Sequence, residues 1–167
     1  MIEQAQLKDD TDPKALACYG LLVRQSAAEP PTAPSDRMLL RFVDGRPVSS
    51  VTIDFLRWCS DRLAAAGKTA LLLIWDNASW HISKAVRSWI RAHNRQVKQS
   101  QRGVRIVLCL LPSKSPWLNA IEPKWVHGKR AVVEPERLLT AHELADRVCA
   151  YYGCAHEPHL AQSQKAA

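Results

Sequence analysis

A short apolar run that ends in an acid, LLLIWD at 71–76, is the feature that most limits the folds open to this chain. The run is too apolar for a surface loop and too short for more than one buried strand. In an open α/β sheet, ligands bind beyond the carboxyl ends of the strands, so Asp76 is expected to project into such a crevice. A simpler alternative is that Asp76 only forms a turn with Asn77.

Strand-like and helix-like segments alternate along the chain. Strands are predicted at 18–23, 38–43, 71–75 and 104–109, and helices from Ser49 or Ser50 to Gly67, from about Ser83 to Lys98, and from Glu122. This alternation predicts an α/β fold with a partly parallel, mixed sheet and helices on both faces. We expect 1–17 to be a poorly ordered segment, 18–153 to form one domain, and 154–167 to be a C-terminal tail.

Asp76 and Glu122 bracket a segment that contains no acid. Residues 77–121 carry eight basic residues: Lys84, Arg87, Arg91, Arg95, Lys98, Arg102, Arg105 and Lys114. Paired carboxylates bind hard cations and suit phosphodiester chemistry, in which metal ions stabilise the attacking and leaving oxygens. The pattern therefore indicates metal and phosphate. Alternatively, Glu122 is the third residue of a helix capped by Asn119.

The helix predicted after Asp76 is amphipathic. Its apolar side carries Ile82, Val86, Trp89, Ile90, His93 and Val97, whereas Lys84, Arg87, Arg91, Arg95 and Lys98 form what we call the basic face. A row of like charges repels itself unless an anion lies nearby, which favours a nucleic-acid backbone as the partner. An ordinary solvated face and an anionic membrane surface are the alternatives.

Two blocks of the sequence resemble the C-terminal motifs of mariner-like DDE transposases from bacterial insertion sequences. WDNASWH at 75–81 and LPSKSPWLNAIE at 111–122 are similar to Asp-Asn-x-x-x-His and Leu-Pro-x-x-Ser-Pro-x-Leu-Asn-Pro-Ile-Glu of that family. The resemblance implies a ribonuclease H-like catalytic domain that cuts and transfers DNA strands. It further implies that Asp76 and Glu122 are catalytic residues and ligands of Mg²⁺ or Mn²⁺, the second and third ligands of the family site.

The chain departs from the family pattern at three points. Ala120 replaces a Pro, Glu122 follows Asp76 by 46 positions, which is longer than usual, and the first catalytic Asp is expected on a strand before Tyr19. The early acids Asp9, Asp10 and Asp12 lie in a polar segment without a strand pattern. The sequence therefore predicts a C-terminal part of the catalytic domain that lacks its first strand and is inactive alone. A homodimer or an upstream transposase fragment is a candidate partner.

Further residues are candidates for contact with DNA. Trp117 lies in a Pro-flanked loop where an indole could stack on an unpaired base, as could Trp75 and Trp80, although a core position is the usual one for Trp. The resemblance implies that His81 contacts a phosphate or positions the helix start, whereas the alternative is a histidine that is only hydrogen-bonded at a helix entry. The full set of DNA-binding candidates is His81, Lys84, Arg87, Arg91, Arg95, Lys98, Lys114, Trp117 and Asn119.

A rival interpretation is a zinc-stabilised interaction domain, with Cys149, Cys154, His156 and His159 as the ligands. Their spacing differs from that of zinc fingers, because the Cys pair and the His pair nearly abut. The pattern from Thr140 to Glu143 is instead that of a capping box, followed by a packing helix.

Composition agrees with a protein that acts on nucleic acid. The formal net charge is +7, and five scattered cysteines are typical of a reducing compartment. Neither an apolar span nor a secretory leader is evident, so a cytoplasmic protein without membrane contact is expected. A nonenzymatic, basic DNA-binding remnant remains the main alternative to an enzyme.

Overall fold

The computed structural model of the chain describes residues 2–3, 15–24, 36–113, 115–133 and 139–161. Its strands are β1 (Ile2–Glu3), β2 (Ala15–Arg24), β3 (Asp36–Asp44), β4 (Ala70–Trp75), β5 (Arg105–Leu110) and β6 (Leu160–Ala161). Its helices are α1 (Ser49–Ala65), α2 (Ser79–Ile82), α3 (Lys84–Ser100), α4 (Glu122–Val132) and α5 (Ala141–Tyr152), and Pro116–Leu118 forms a 3-10 turn. The chain divides into two compact units, which are described separately.

The first unit contains the strands up to Asp44 and the segment from Ala120 to His159. Strands β2 and β3 pair antiparallel, with Cys18 opposite Phe42, and β1 adds to β2. Helix α5 begins with the predicted capping box, since Thr140 accepts from the Glu143 N–H and the Glu143 side chain accepts from the Thr140 N–H. The core of this unit consists of Leu16, Met38, Leu40, Phe42, Val132, Leu139, Leu144, Ala145, Val148 and Cys149.

The second unit is built around the parallel pair β4 and β5, in which Leu73 lies opposite Leu108. Helix α3 begins after Ser83, whose hydroxyl accepts from the Val86 N–H. Asn94 joins this helix to β5, since its side chain donates to the Ile106 carbonyl at 2.7 Å and accepts from the Ile106 N–H at 2.8 Å. These two hydrogen bonds set the position of α3 along β5.

Antiparallel pairing in one unit and parallel pairing in the other confirm the predicted mixed α/β fold. Crossing a bilayer takes roughly 20 apolar residues, and no helix in the described ranges meets that requirement. The Asp9, Asp10 and Asp12 segment lies outside the described residues, as does Lys114.

Two local expectations are wrong. Helix α1 is preceded by Val48 as its N-cap, with no side-chain cap, so neither Ser49 nor Ser50 caps it. The run 71–75 is buried on one face only: Leu73 and Trp75 are buried, whereas Leu72 and Ile74 are 61% and 48% exposed. Because side chains alternate along a strand, both exposed residues lie on the same face of β4.

Candidate active site

Asp76 is the first residue after β4, and its side chain is 53% exposed. Its Oδ1 accepts a hydrogen bond from the Ala78 N–H at 3.0 Å, which closes the turn that the simpler interpretation expected. The same atom lies 2.8 Å from Nδ1 of His81. Since both contacts use Oδ1, the Oδ2 atom can coordinate a cation without either contact breaking.

His81 is fixed by aromatic contacts as well as by Asp76. Its ring stacks on the buried Trp75 with centroids 4.6 Å apart and planes 4° apart, and it makes a T-shaped contact with Trp80. Burial lowers the pKa of His81, and the hydrogen bond to Asp76 opposes that effect only in part. At neutral pH the ring is therefore uncharged and donates its Nδ1–H to the carboxylate.

Asn77 ties the ends of the two parallel strands together. Its side-chain amide donates to the Leu111 carbonyl at 2.7 Å, and the Leu111 N–H donates to the Trp75 carbonyl at 3.0 Å. The residues on either side of Asp76, Trp75 and Asn77, are therefore both hydrogen-bonded to Leu111. The sequence does not predict this hydrogen bond, because no local pattern shows that the partner of Asn77 lies 34 residues away.

Glu122 is the first residue of α4, and Ile121 is the N-cap of that helix. The alternative in which Asn119 caps the helix, with Glu122 three residues later, is therefore wrong. A carboxylate in this position is stabilised by the positive end of the helix dipole. The side chain is half-buried. Glu122 belongs to the first unit, and Asp76 to the second.

The five residues of the basic face are all exposed along α3, as the amphipathic pattern predicted: Lys84, Arg87, Arg91, Arg95 and Lys98. Within the described ranges none of these five forms an ion pair. The opposite side of the helix buries Val86 and Ile90, and His93 bonds to the Val104 carbonyl at 2.8 Å. Because this apolar side is covered, it is not available to lie on a membrane.

The loop after β5 presents Trp117 to solvent. This residue is 74% exposed and lies in the 3-10 turn, whereas Trp75 is buried. Trp80 and Asn119 are half-buried. Of the three tryptophans considered for base stacking, Trp117 is the one whose ring is open to a partner.

The cysteines and histidines of the zinc interpretation do not come together. The thiols of Cys18, Cys149 and Cys154 interact electrostatically within the first unit. Burial raises the pKa of Cys149 to about 12 and also raises the pKa values of the other two thiols. Zinc binds the thiolate, which such an environment disfavours. Among the described residues, no set of side chains close enough to share a metal ion combines these cysteines with His156 or His159.

Comparison with known families gives one finding. The sequence model of a family described as DDE superfamily endonuclease matches residues 37–145, which is more than half of the chain. The matched range includes both Asp76 and Glu122. A separate search of curated proteins gives no match.

Proposed function

This chain belongs to the DDE superfamily of endonucleases, and we propose that Asp76 and Glu122 are metal ligands of a centre for DNA strand cleavage and transfer. Members of this superfamily are DNA-processing nucleases that typically use divalent metal ions. The observation that carries the proposal is the way Asp76 is held at the carboxyl end of β4, with Oδ1 bonded to Ala78 and His81.

The donor atoms fit a hard cation. Two carboxylates are the ligands that Mg²⁺ and Mn²⁺ prefer, and a His81 N–H that holds one carboxylate oxygen restricts its rotation. Divalent ions bound there would lower the barrier by stabilising charge on the attacking and leaving oxygens of the phosphodiester. The chain contributes the positions of the carboxylates, and the basic face attracts the DNA.

We further propose that the enzyme is of the mariner-like type found in bacterial insertion sequences, on the strength of the two motif blocks at 75–81 and 111–122. We expect a partner polypeptide to supply the third carboxylate. A strand that carries this carboxylate could pair with the free edge of β4, because β5 is the only strand paired with β4 among the described residues.

Plasmid nicking with Mg²⁺ or Mn²⁺ tests the proposal. The chain is assayed alone and with a polypeptide that supplies an Asp-bearing strand, fused or in trans, and nicking is expected in the second arrangement. Asp76→Asn and Glu122→Gln should each abolish it and leave DNA binding intact, because each keeps the side-chain shape and removes the charge that holds the metal. Nicking that survives both substitutions would contradict the proposed ligands.

The alternative is a nonenzymatic DNA-binding module, and the exposed basic face of α3 favours it. The same assay separates the two functions. DNA binding without nicking in either arrangement supports the module, whereas metal-dependent nicking that needs Asp76 supports the enzyme.

A further inference from the structure

Acids and histidines outside the Asp76 region gather at one place in the first unit. His142 and Asp146 lie one turn apart on α5, so they share a face of that helix. The helix ends at Gly153, which has a positive φ of 65°, and the chain then turns back and brings His156 to Asp146. His159 follows and meets Asp44 at the end of β3.

The imidazole rings of His156 and His159 are held in place by packing. Both His156 and His159 contact the ring of the buried Phe42, with centroids 5.4 and 5.6 Å apart. The Arg41 side chain donates to the Pro158 carbonyl between them at 3.0 Å. The side chains of the two histidines are only 19% and 23% exposed, so their ring positions are set by packing.

Four of the side chains form a continuous series of short polar contacts. Oδ1 of Asp146 lies 2.6 Å from Nδ1 of His156, whose Nε2 lies 3.2 Å from Nε2 of His159. Nδ1 of His159 in turn lies 2.6 Å from Oδ1 of Asp44. In each of these three contacts, two atoms with lone pairs face each other. They repel unless a bonded hydrogen or a metal ion lies between them.

The hydrogens available are too few for these contacts. A neutral imidazole carries one N–H, and an ionised carboxylate carries none, so His156 and His159 supply two hydrogens for three contacts. One contact therefore requires an additional positive charge. Either a further proton or a metal ion can provide it.

The position of His142 indicates that the additional positive charge is a metal ion beside Asp146 and His156. Its Nε2 lies 3.4 Å from Oδ2 of Asp146, and one ligand atom each from His142, Asp146 and His156 lie within 4.8 Å of one another. We propose that these three residues bind a divalent transition-metal ion of the Zn²⁺ type, which accepts imidazole nitrogen and carboxylate oxygen together. Three protein ligands leave a coordination position for water.

The remaining contacts are then satisfied. With the metal on Nδ1 of His156, its Nε2–H donates to Nε2 of His159, and Nδ1–H of His159 donates to Asp44. Metal-bound histidines are usually held by an outer partner of this kind. Ligand atoms around a tetrahedral zinc lie about 3.3 Å apart. The 2.6 Å pair from Asp146 and His156 must therefore separate, and any pair wider than that spacing must close. Asp146 and His142 are 53% and 78% exposed and have room to move.

Zn²⁺ titration of the purified, chelator-treated chain against a chromophoric chelator at pH 7.5 tests the site. The wild type should bind one equivalent, and His142→Gln, Asp146→Asn and His156→Gln should each weaken binding more than about 100-fold. His159→Gln should weaken it about 10- to 100-fold, the usual effect of losing an outer partner. Because His142 is largely exposed, its substitution removes a ligand without disturbing the core.

One control variant tests for binding elsewhere. His127→Gln removes an exposed histidine of α4 and should retain the zinc affinity of the wild type. Failure of the wild type to bind stoichiometric zinc, or equal binding by His142→Gln, would overturn the proposal. ¹⁵N NMR of the ring nitrogens would then show a proton shared between His156 and His159.

Discussion

His81 holds Asp76 through a 2.8 Å contact between Nδ1 and Oδ1, and the same imidazole ring stacks on Trp75, the last residue of β4. The carboxylate is thus oriented by the strand that precedes it and by the helix that follows it. Three residues within seven positions form this arrangement, which explains why it can be encoded in one short motif.

Acidification should weaken this arrangement. Because burial lowers the folded-state pKa of His81 below the usual value of 6.5, the unfolded chain binds the proton more tightly. The stability that His81 contributes is present above pH 6.5 and is lost as the pH falls through the folded pKa. The free energy of unfolding, measured in urea for the wild type and His81→Gln, should differ less at pH 5.5 than at pH 7.5. A pH-independent difference would contradict this assignment.

The basic face should determine the salt dependence of DNA binding. Each phosphate contact contributes about 0.9 to the slope of log affinity against log salt, so replacing Arg87, Arg91 and Arg95 with Ala should flatten that slope by about three units. Fluorescence anisotropy of a labelled duplex over a salt series measures it. The double variant Lys129→Ala/Arg130→Ala, on exposed positions of α4, should leave the slope unchanged. An unchanged slope in the α3 variant would identify the basic face as solvated surface.

Trp117 should contribute to binding of single strands. Stacking of a base on an aromatic ring is worth about 1–3 kcal/mol, so Trp117→Ala should weaken binding of an oligothymidine by that amount, whereas Trp117→Phe should retain most of it. Binding of a blunt duplex, measured alongside, should respond less because its bases are already stacked. Equal affinities of the wild type and Trp117→Ala for the oligothymidine would show that the exposed indole is not a DNA contact.

Packing of α4 against α5 depends on Gly128. A Cβ there would overlap the ring and hydroxyl of Tyr152, which donates to the Lys124 carbonyl at 2.6 Å. Gly to Ala within a helix normally stabilises by about 1 kcal/mol, but overpacking costs about 1–3 kcal/mol. We expect a lower free energy of unfolding for Gly128→Ala in urea. The neighbouring Lys129→Ala, on an exposed position, should change it by less than about 0.5 kcal/mol. A stabilised Gly128→Ala would show that Tyr152 moves aside freely.

Features with a periodic or local origin could be predicted from the sequence. The spacing of Val86 and Ile90 predicts the buried side of α3, and the Thr140 and Glu143 pair predicts the start of α5; both predictions are confirmed. Such patterns depend on contacts three or four residues apart, which the backbone geometry fixes.

Features that depend on distant partners could not be predicted. The exposure of Leu72 depends on what packs against β4, and the meeting of His142 with His156 depends on the reversal after Gly153. The only sequence signal for the histidine cluster is that His142 and Asp146 lie four positions apart. Since that spacing is common on solvated helices, it carries little information alone.

The uneven exposure of the cysteines provides a route to site-selective labelling. Of the five, only Cys109 is exposed, and burial raises the pKa values of Cys18, Cys149 and Cys154. A maleimide fluorophore should therefore attach at Cys109, which lies opposite the exposed Ile74 in the β4–β5 register. Its emission would report on any strand, subunit or nucleic acid that covers this face of the sheet, without the introduction of a new thiol.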